Sequence, residues 1–169
     1  MSGPEPVRPP VRVAVIGGGA VEEEEYERAR TLGLELATRG AALLCGGRGG
    51  VMEAAARGAA SVGGLTVGIL PGSDAGAANP WILLPMATGM GEARNALVVR
   101  AAEAVVAVAG SWGTLSEIGL ARKMGLDVAR LGPWTLGELG LPCFADAGEA
   151  AAWAVERALT RRGEIPGTG

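Results

Sequence analysis

The residues best suited to chemistry in this chain are an arginine, a threonine, a glutamate and three clusters of glycine. Gly17-Gly18-Gly19 follows the apolar run Val13-Ala14-Val15-Ile16. Gly46-Gly47-Arg48-Gly49-Gly50 follows Ala42-Leu43-Leu44-Cys45, and Gly110-Ser111-Trp112-Gly113-Thr114 follows the apolar run 104–109. Each cluster leads into a stretch with helical character. A strand, a glycine turn and a helix start leave unpaired N–H groups at one edge of a sheet, where the positive end of the helix dipole also favours an anion. Three such segments, with Arg94 between the second and third, point to a phosphorylated small-molecule ligand.

Each candidate has a plain reading beside the chemical one. Gly46, Gly47, Gly49 and Gly50 make a tight turn, yet a bare turn rarely needs four glycines in five positions. Close approach of the backbone to a phosphate does, because glycine has no Cβ in the way. Gly18 and Gly19 join them as ligand-binding candidates. Thr114 and Glu117 have the Thr-x-x-Glu spacing of a helix capping box. The same pair, with Gly110, Ser111 and Gly113, would also hold a phosphate on the helix start while Glu117 faces a sugar. Arg94 follows Gly89-Met90-Gly91 and is expected to point into the cleft, where a guanidinium grips phosphate through two N–H groups. Asn95 would read a base edge or a ribose. Arg48 is either a solvated cation or a second phosphate contact. Trp112 either stacks on a ring or covers the pocket. Cys45, at a strand end, reads as a small buried hydrophobe.

The elements that must position these groups follow from periodicity. Strands are expected at 12–16, 41–45, 66–70, 81–84 and 104–109, with a weaker one at 127–131. Helices are expected at 22–39, 50–62, 91–100, 115–124 and 147–162. Glu22 to Glu25 begin the first helix, where carboxylates suit the dipole, and Arg39-Gly40 ends it. Residues 141–146 fit no single element. Strands alternating with helices imply parallel β-α-β units, hence an α/β, doubly wound (Rossmann-like) and mostly parallel sheet with helices on both faces. All three glycine clusters then lie at strand carboxyl ends, where such sheets bind ligands. The expected organisation is a flexible lead-in at 1–11, one nucleotide-binding domain at 12–162 and a flexible tail at 163–169.

Composition narrows the function further. A chain of 169 residues suits one domain and buries enough core to need no metal or disulfide staple. Net charge is −3, with one tyrosine and one phenylalanine, which disfavours nucleic-acid binding. No run of ~18 apolar residues suits a membrane span. Cys45 and Cys143, with no secretory signal before them, fit a cytoplasmic protein with reduced thiols. The absence of histidine removes Ser-His-Asp and Cys-His catalysis and imidazole metal ligation. The G-x-G-x-x-G pattern fails because Glu22 stands at its third glycine, and the Walker pattern fails because Met124 follows Lys123. Lys123, the sole lysine, lies well inside a helix, which disfavours a pyridoxal-phosphate decarboxylase.

The ordered set Gly46-Gly47-Arg48-Gly49-Gly50-Val51-Met52, Gly91-Glu92-Ala93-Arg94-Asn95 and Gly110-Ser111-Trp112-Gly113-Thr114-Leu115-Ser116-Glu117 resembles the LOG-like Rossmann-fold family. That family includes cytokinin-activating phosphoribohydrolases, molybdenum cofactor carrier proteins and many members labelled as lysine decarboxylases. The resemblance runs from about Val13 to Leu131. The family motif Pro-Gly-Gly-x-Gly-Thr-x-x-Glu is matched at Gly110, Gly113, Thr114 and Glu117, while Ala109 replaces the proline and Ser111 the second glycine. The hydrolases carry an Arg-Lys pair where this chain has Arg94-Asn95. These departures place the chain nearer the carrier-like branch. The resemblance implies a carrier or sensor of a nucleoside monophosphate or a molybdenum cofactor-type pterin, held as cargo, with no cofactor required. It implies as alternative a phosphoribohydrolase that splits nucleoside 5′-monophosphates into free base and ribose 5-phosphate. Glu117 and Arg94 would then be the catalytic pair, Glu117 serving an oxocarbenium-like transition state. It also implies a homodimer or larger homo-oligomer.

Overall fold

In the computed structural model, which describes residue 1 and residues 3–167, seven parallel strands form a single sheet in the order β4-β3-β2-β1-β5-β6-β7. The strands are β1 (Arg12–Gly17), β2 (Ala42–Cys45), β3 (Thr66–Leu70), β4 (Leu84–Ala87), β5 (Ala104–Val108), β6 (Asp127–Leu131) and β7 (Cys143–Phe144). The helices are α1 (Glu23–Thr38), α2 (Val51–Ala60), α3 (Asn95–Arg100), α4 (Trp112–Lys123) and α5 (Ala147–Arg161). Ser2, Thr168 and Gly169, the outermost parts of the expected lead-in and tail, lie outside the described residues.

Strand alternation builds two cores. Val13 and Val15 of β1 face α1, α2 and α5, while Ala14 and Ile16 face α3 and α4. Side chains of period two thus feed both faces, as the near-continuous apolar strands require. The order reverses between β1 and β5, and Val13–Gly17 runs in register with Ala104–Val108. The crevice of a doubly wound sheet opens beyond that switch point.

Several boundaries differ from the sequence expectation. The fourth strand is Leu84–Ala87 rather than 81–84. Thr66 explains the shift: its hydroxyl donates to the Trp81 carbonyl at 2.7 Å and accepts from Leu83 N at 2.8 Å, holding 81–83 as the approach to the strand. The helix expected at 91–100 begins as a 3₁₀ turn, Gly91–Arg94, and becomes α-helical only at Asn95. The helix expected from 115 starts three residues earlier, at Trp112. Ala109, directly after β5, has φ 52°, a left-handed conformation that a proline ring cannot adopt. At α1, Glu25 reaches back to accept from Glu22 N at 3.1 Å, so the acidic run serves as a helix start.

Helices α1 and α2 meet through glycine. A Cβ on Gly33 would lie 1.9 Å from the Ala55 carbonyl oxygen, and one on Gly58 would lie 1.8 Å from that of Arg30. At the opposite edge from the glycine loops, Arg162 donates to the carbonyls of Pro9 and Pro10 and pairs with buried Glu103. Burial would raise the Glu103 carboxyl, but hydrogen bonds from Arg162 and Arg12 N outweigh it and hold the group below the usual carboxylate range.

The β3–β4 connection carries only a three-residue 3₁₀ turn, Ala75–Ala77, where a doubly wound fold often places a helix. A groove of about 530 Å³ lies on the sheet face beside α3, with Leu44, Val67 and Ile69 among its lining and Met86 and Leu97 on its walls. Its lining is mostly apolar, with Arg12, Thr88 and Arg100 as the polar residues among it. Among the described residues, no helix is long and apolar enough to cross a membrane.

Candidate functional site

A polar cleft of about 160 Å³ opens at the β1–β5 switch point. The first glycine loop contributes Gly17, Gly18 and Gly19, and the third contributes Ser111, Gly113 and Thr114. Arg94, Asn95, Met52 and Glu117 complete it. A wider lobe next to it, also bordered by Gly18, Gly19 and Ser111, extends past Gly110 and Ala109 towards Val21 and Glu25. The sequence thus brings distant segments, from residue 17 to residue 117, to one sheet edge.

Thr114 and Glu117 do not form a capping box. Ser111 is the N-cap of α4 and its side chain makes no capping hydrogen bond, so Thr114 lies inside the first turn. Both Thr114 and Glu117 are buried, at 4% and 8% exposure. The first N–H groups of α4 have no intrahelical acceptors, as at any helix start. A Cβ on Gly113 or on Gly19 would meet nothing within 4 Å, so the backbone there is open to a ligand.

The second glycine loop occupies a different place from the cradle its composition suggests. Gly46, Gly47, Arg48, Gly49 and Gly50 do not line the cleft. Protein atoms fill the room that the missing side chains leave. A Cβ on Gly46 would lie 1.9 Å from Arg94 Nη1, and one on Gly50, at φ 65°, would lie 2.2 Å from the Gly18 carbonyl oxygen. Val51 N donates to that same carbonyl at 2.9 Å. Arg48 is exposed, and its carbonyl accepts from Asn79 Nδ2 at 2.9 Å. Trp112 is 75% exposed and stands outside the cleft lining.

Arg94 sets the electrostatics. It is 7% exposed, and its Nε is buried with no hydrogen-bond partner. Burial lowers its pKa, with the Glu117 charge working in the opposite direction. Glu117 is the mirror case: burial pushes its carboxyl up to about 7, against the lowering effect of Arg94. A buried guanidinium with an unsatisfied donor beside an open helix N-terminus can take up an anion. A carboxyl that titrates near neutrality can donate or accept a proton there. Cys45 Sγ accepts from Gly47 N at 3.4 Å, and burial pushes the thiol up to about 11, so it behaves as packing. Among the described residues, no group of three His, Cys, Asp or Glu side chains is placed to hold a metal ion.

Sequence reasoning placed Gly17 in the first glycine cluster but did not single out Met52 as a site residue. Met52 is the second residue of α2, and only the close approach of the α2 start to the first loop brings it to the cleft. Its place in the second loop motif was the available signal.

The model of the SLOG cluster4 family matches residues 10–152. The chain belongs to the SLOG cluster4 family. This SLOG cluster4 protein is 40% identical over 149 residues to an uncharacterized protein of Archaeoglobus fulgidus, covering 88% of this chain and 97% of that one. It is similar to the molybdenum cofactor carrier protein of Chlamydomonas reinhardtii, with a TM-score of 0.80, 34% identity and coverage of 90% of this chain and 99% of the other. The molybdenum cofactor binding protein of Rippkaea orientalis gives a TM-score of 0.80 at 29% identity, covering 87% and 96%. The fold of this SLOG cluster4 protein and its place beside the carrier proteins agree with the family that its motifs resemble.

Proposed function

We propose that this protein is a cytoplasmic carrier of a phosphorylated, molybdenum cofactor-type ligand. The observation that carries the reading is Arg94, buried with an orphaned Nε and lining the same polar cleft as the open start of α4. The likeness to two molybdenum cofactor-binding proteins supports the ligand class. The phosphate rests on the N–H groups near Gly113 and Thr114 and on Arg94, and the ring system extends into the wider lobe beyond Ser111. Gly18 and Gly19 border both parts, and Asn95 offers an amide to a polar edge. A nucleoside monophosphate meets the same phosphate contacts.

The test is purification from a host that makes the molybdenum cofactor, with bound pterin read as fluorescence after oxidative release. Wild type carries pterin, and Arg94→Ala carries at least about tenfold less, the scale of a lost charge-assisted hydrogen bond. Equal occupancy in the two proteins overturns the reading.

Glu117 favours a second reading. A buried carboxyl with a pKa near 7 in a ligand cleft suits general acid chemistry at a glycosidic bond. Under this reading the protein releases free base from nucleoside 5′-monophosphates, and Glu117→Gln abolishes release while phosphate binding survives. No release from any nucleotide leaves the carrier reading alone.

The apolar groove beside α3 favours a homodimer or larger assembly. Met86 is 51% exposed and Leu97 37%, an arrangement that suits burial against a second copy.

A further inference from the structure

We propose that Gly46 is a positioning residue: the side chain it lacks is the seat of the Arg94 guanidinium. The inference rests on the anion-binding reading of the cleft and assigns the second glycine loop a role in it. Gly46 closes the turn after β2, next to Cys45, and is buried. A Cβ there would lie 1.9 Å from Arg94 Nη1 and 2.9 Å from Arg94 Cζ. It would also lie 2.7 Å from the Met52 sulfur. Those separations are far below contact distance, so alanine and the present Arg94 position exclude each other.

The obstructing atoms decide what alanine does. All three belong to the far ends of flexible side chains, and no backbone atom is among them. Gly46 is also not among the residues with positive φ, so alanine fits its backbone without strain. The fold accommodates Gly46→Ala by moving Arg94 and Met52, two residues of the cleft lining. Gly47 and Gly50 differ: each has positive φ, so substitution there strains the main chain. Gly110 repeats the device at the third loop, where a Cβ would lie 2.2 Å from Thr114 Oγ1, but at φ 123°. Gly46 is therefore the position at which seating can be separated from folding.

A guanidinium displaced from this seat leaves the place where it shares the cleft with Glu117 and the start of α4 and acts on the Glu117 charge. Two consequences follow, one seen with ligand and one without. Affinity for anions falls as far as removal of Arg94 itself makes it fall. The Glu117 carboxyl also loses the nearby positive charge that favours its ionised form, and its titration midpoint rises.

The experiment is a double-mutant cycle with Gly46→Ala and Arg94→Ala, using AMP and inorganic phosphate as probes in calorimetry. Circular dichroism and thermal melting establish that each variant is folded. The expected result is a loss of about tenfold or more for either single variant and no further loss when they are combined. In parallel, the Glu117 carboxyl is titrated by carbon-detected NMR without ligand, and its midpoint rises in Gly46→Ala as it does in Arg94→Ala. Additive losses would mean that Gly46 touches the anion through its own backbone, and would overturn the proposal. Unchanged affinity and an unchanged Glu117 midpoint would overturn it too. If wild type binds neither probe, the anion-site reading fails on its own, and the titration still decides whether Gly46 seats Arg94. If Gly46→Ala does not fold alone, the double variant Gly46→Ala/Arg94→Ala, in which the guanidinium is gone, is expected to fold. Failure there as well means that Arg94 is not what excludes a side chain at Gly46, and overturns the proposal.

Discussion

Glu117 and Arg94 occupy one cleft with opposite electrostatic burdens. The Glu117 carboxyl lies near 7 against an ordinary value of 4.5, so the folded protein holds a proton that the unfolded chain releases. Below pH about 4.5 both states are protonated and the group is neutral to stability. Stability then falls as pH rises, and the loss is complete once pH passes about 7. At 1.36 kcal/mol per unit the full effect is about 3 kcal/mol. Urea unfolding of Glu117→Gln is therefore expected to show the same stability as wild type at pH 4 and up to about 3 kcal/mol more at pH 8. A wild-type curve that climbs from pH 5 to 8 by this group would contradict the assignment. An anion seated on Arg94 disfavours the Glu117 charge further, so binding takes up a proton near neutrality. Sulfate, whose charge is constant over the range, is expected to bind more tightly at pH 6 than at pH 8. Calorimetry in two buffers of different ionisation enthalpy reads the proton directly.

At the scale of elements, the site depends on how closely backbones approach. The first and second glycine loops touch through Gly50 and the Gly18 carbonyl, which aligns the starts of α2 and the β1 turn. Behind them α1 and α2 meet at Gly33 and Gly58, each against the other helix's carbonyl oxygen. Gly58→Ala has no flexible side chain to displace, since Arg30 O and Leu34 N stand in its way. It is expected to destabilise by about 2 kcal/mol or more through overpacking, read as a lower melting temperature with unchanged ligand affinity per folded molecule. A melting temperature equal to wild type would mean that the helices separate at little cost.

The whole molecule shows two faces with different fates. The switch-point edge gathers polar groups, and the sheet face beside α3 leaves an apolar groove where the β3–β4 connection lacks an α-helix. Because α3 begins at Asn95, directly after Arg94, the same short helix borders both. Sedimentation of Leu97→Asp is expected to give a smaller species than wild type. If wild type is itself a monomer at micromolar concentration, the assembly reading fails.

Much of this protein was legible in its residue order. Periodicity placed most helices and strands, because buried strands read as apolar runs and helices as 3.6-residue stripes. The glycine loops and Arg94 marked the edge of the sheet where the cleft lies. Local spacing could not tell a capping box from a buried pair at Thr114 and Glu117, because the decisive fact is where α4 begins, and packing starts it at Trp112. Composition could not assign the glycines of the second loop. Whether a missing Cβ leaves open space, as at Gly113, or makes room for a protein side chain, as at Gly46, depends on atoms far away in sequence. The chain by itself determined the layers, the glycine loops and the position of Arg94 between them. Only the tertiary structure decided which loop faces the cleft and which one seats the arginine, because contact with residue 94 is made across the sheet and not along the chain.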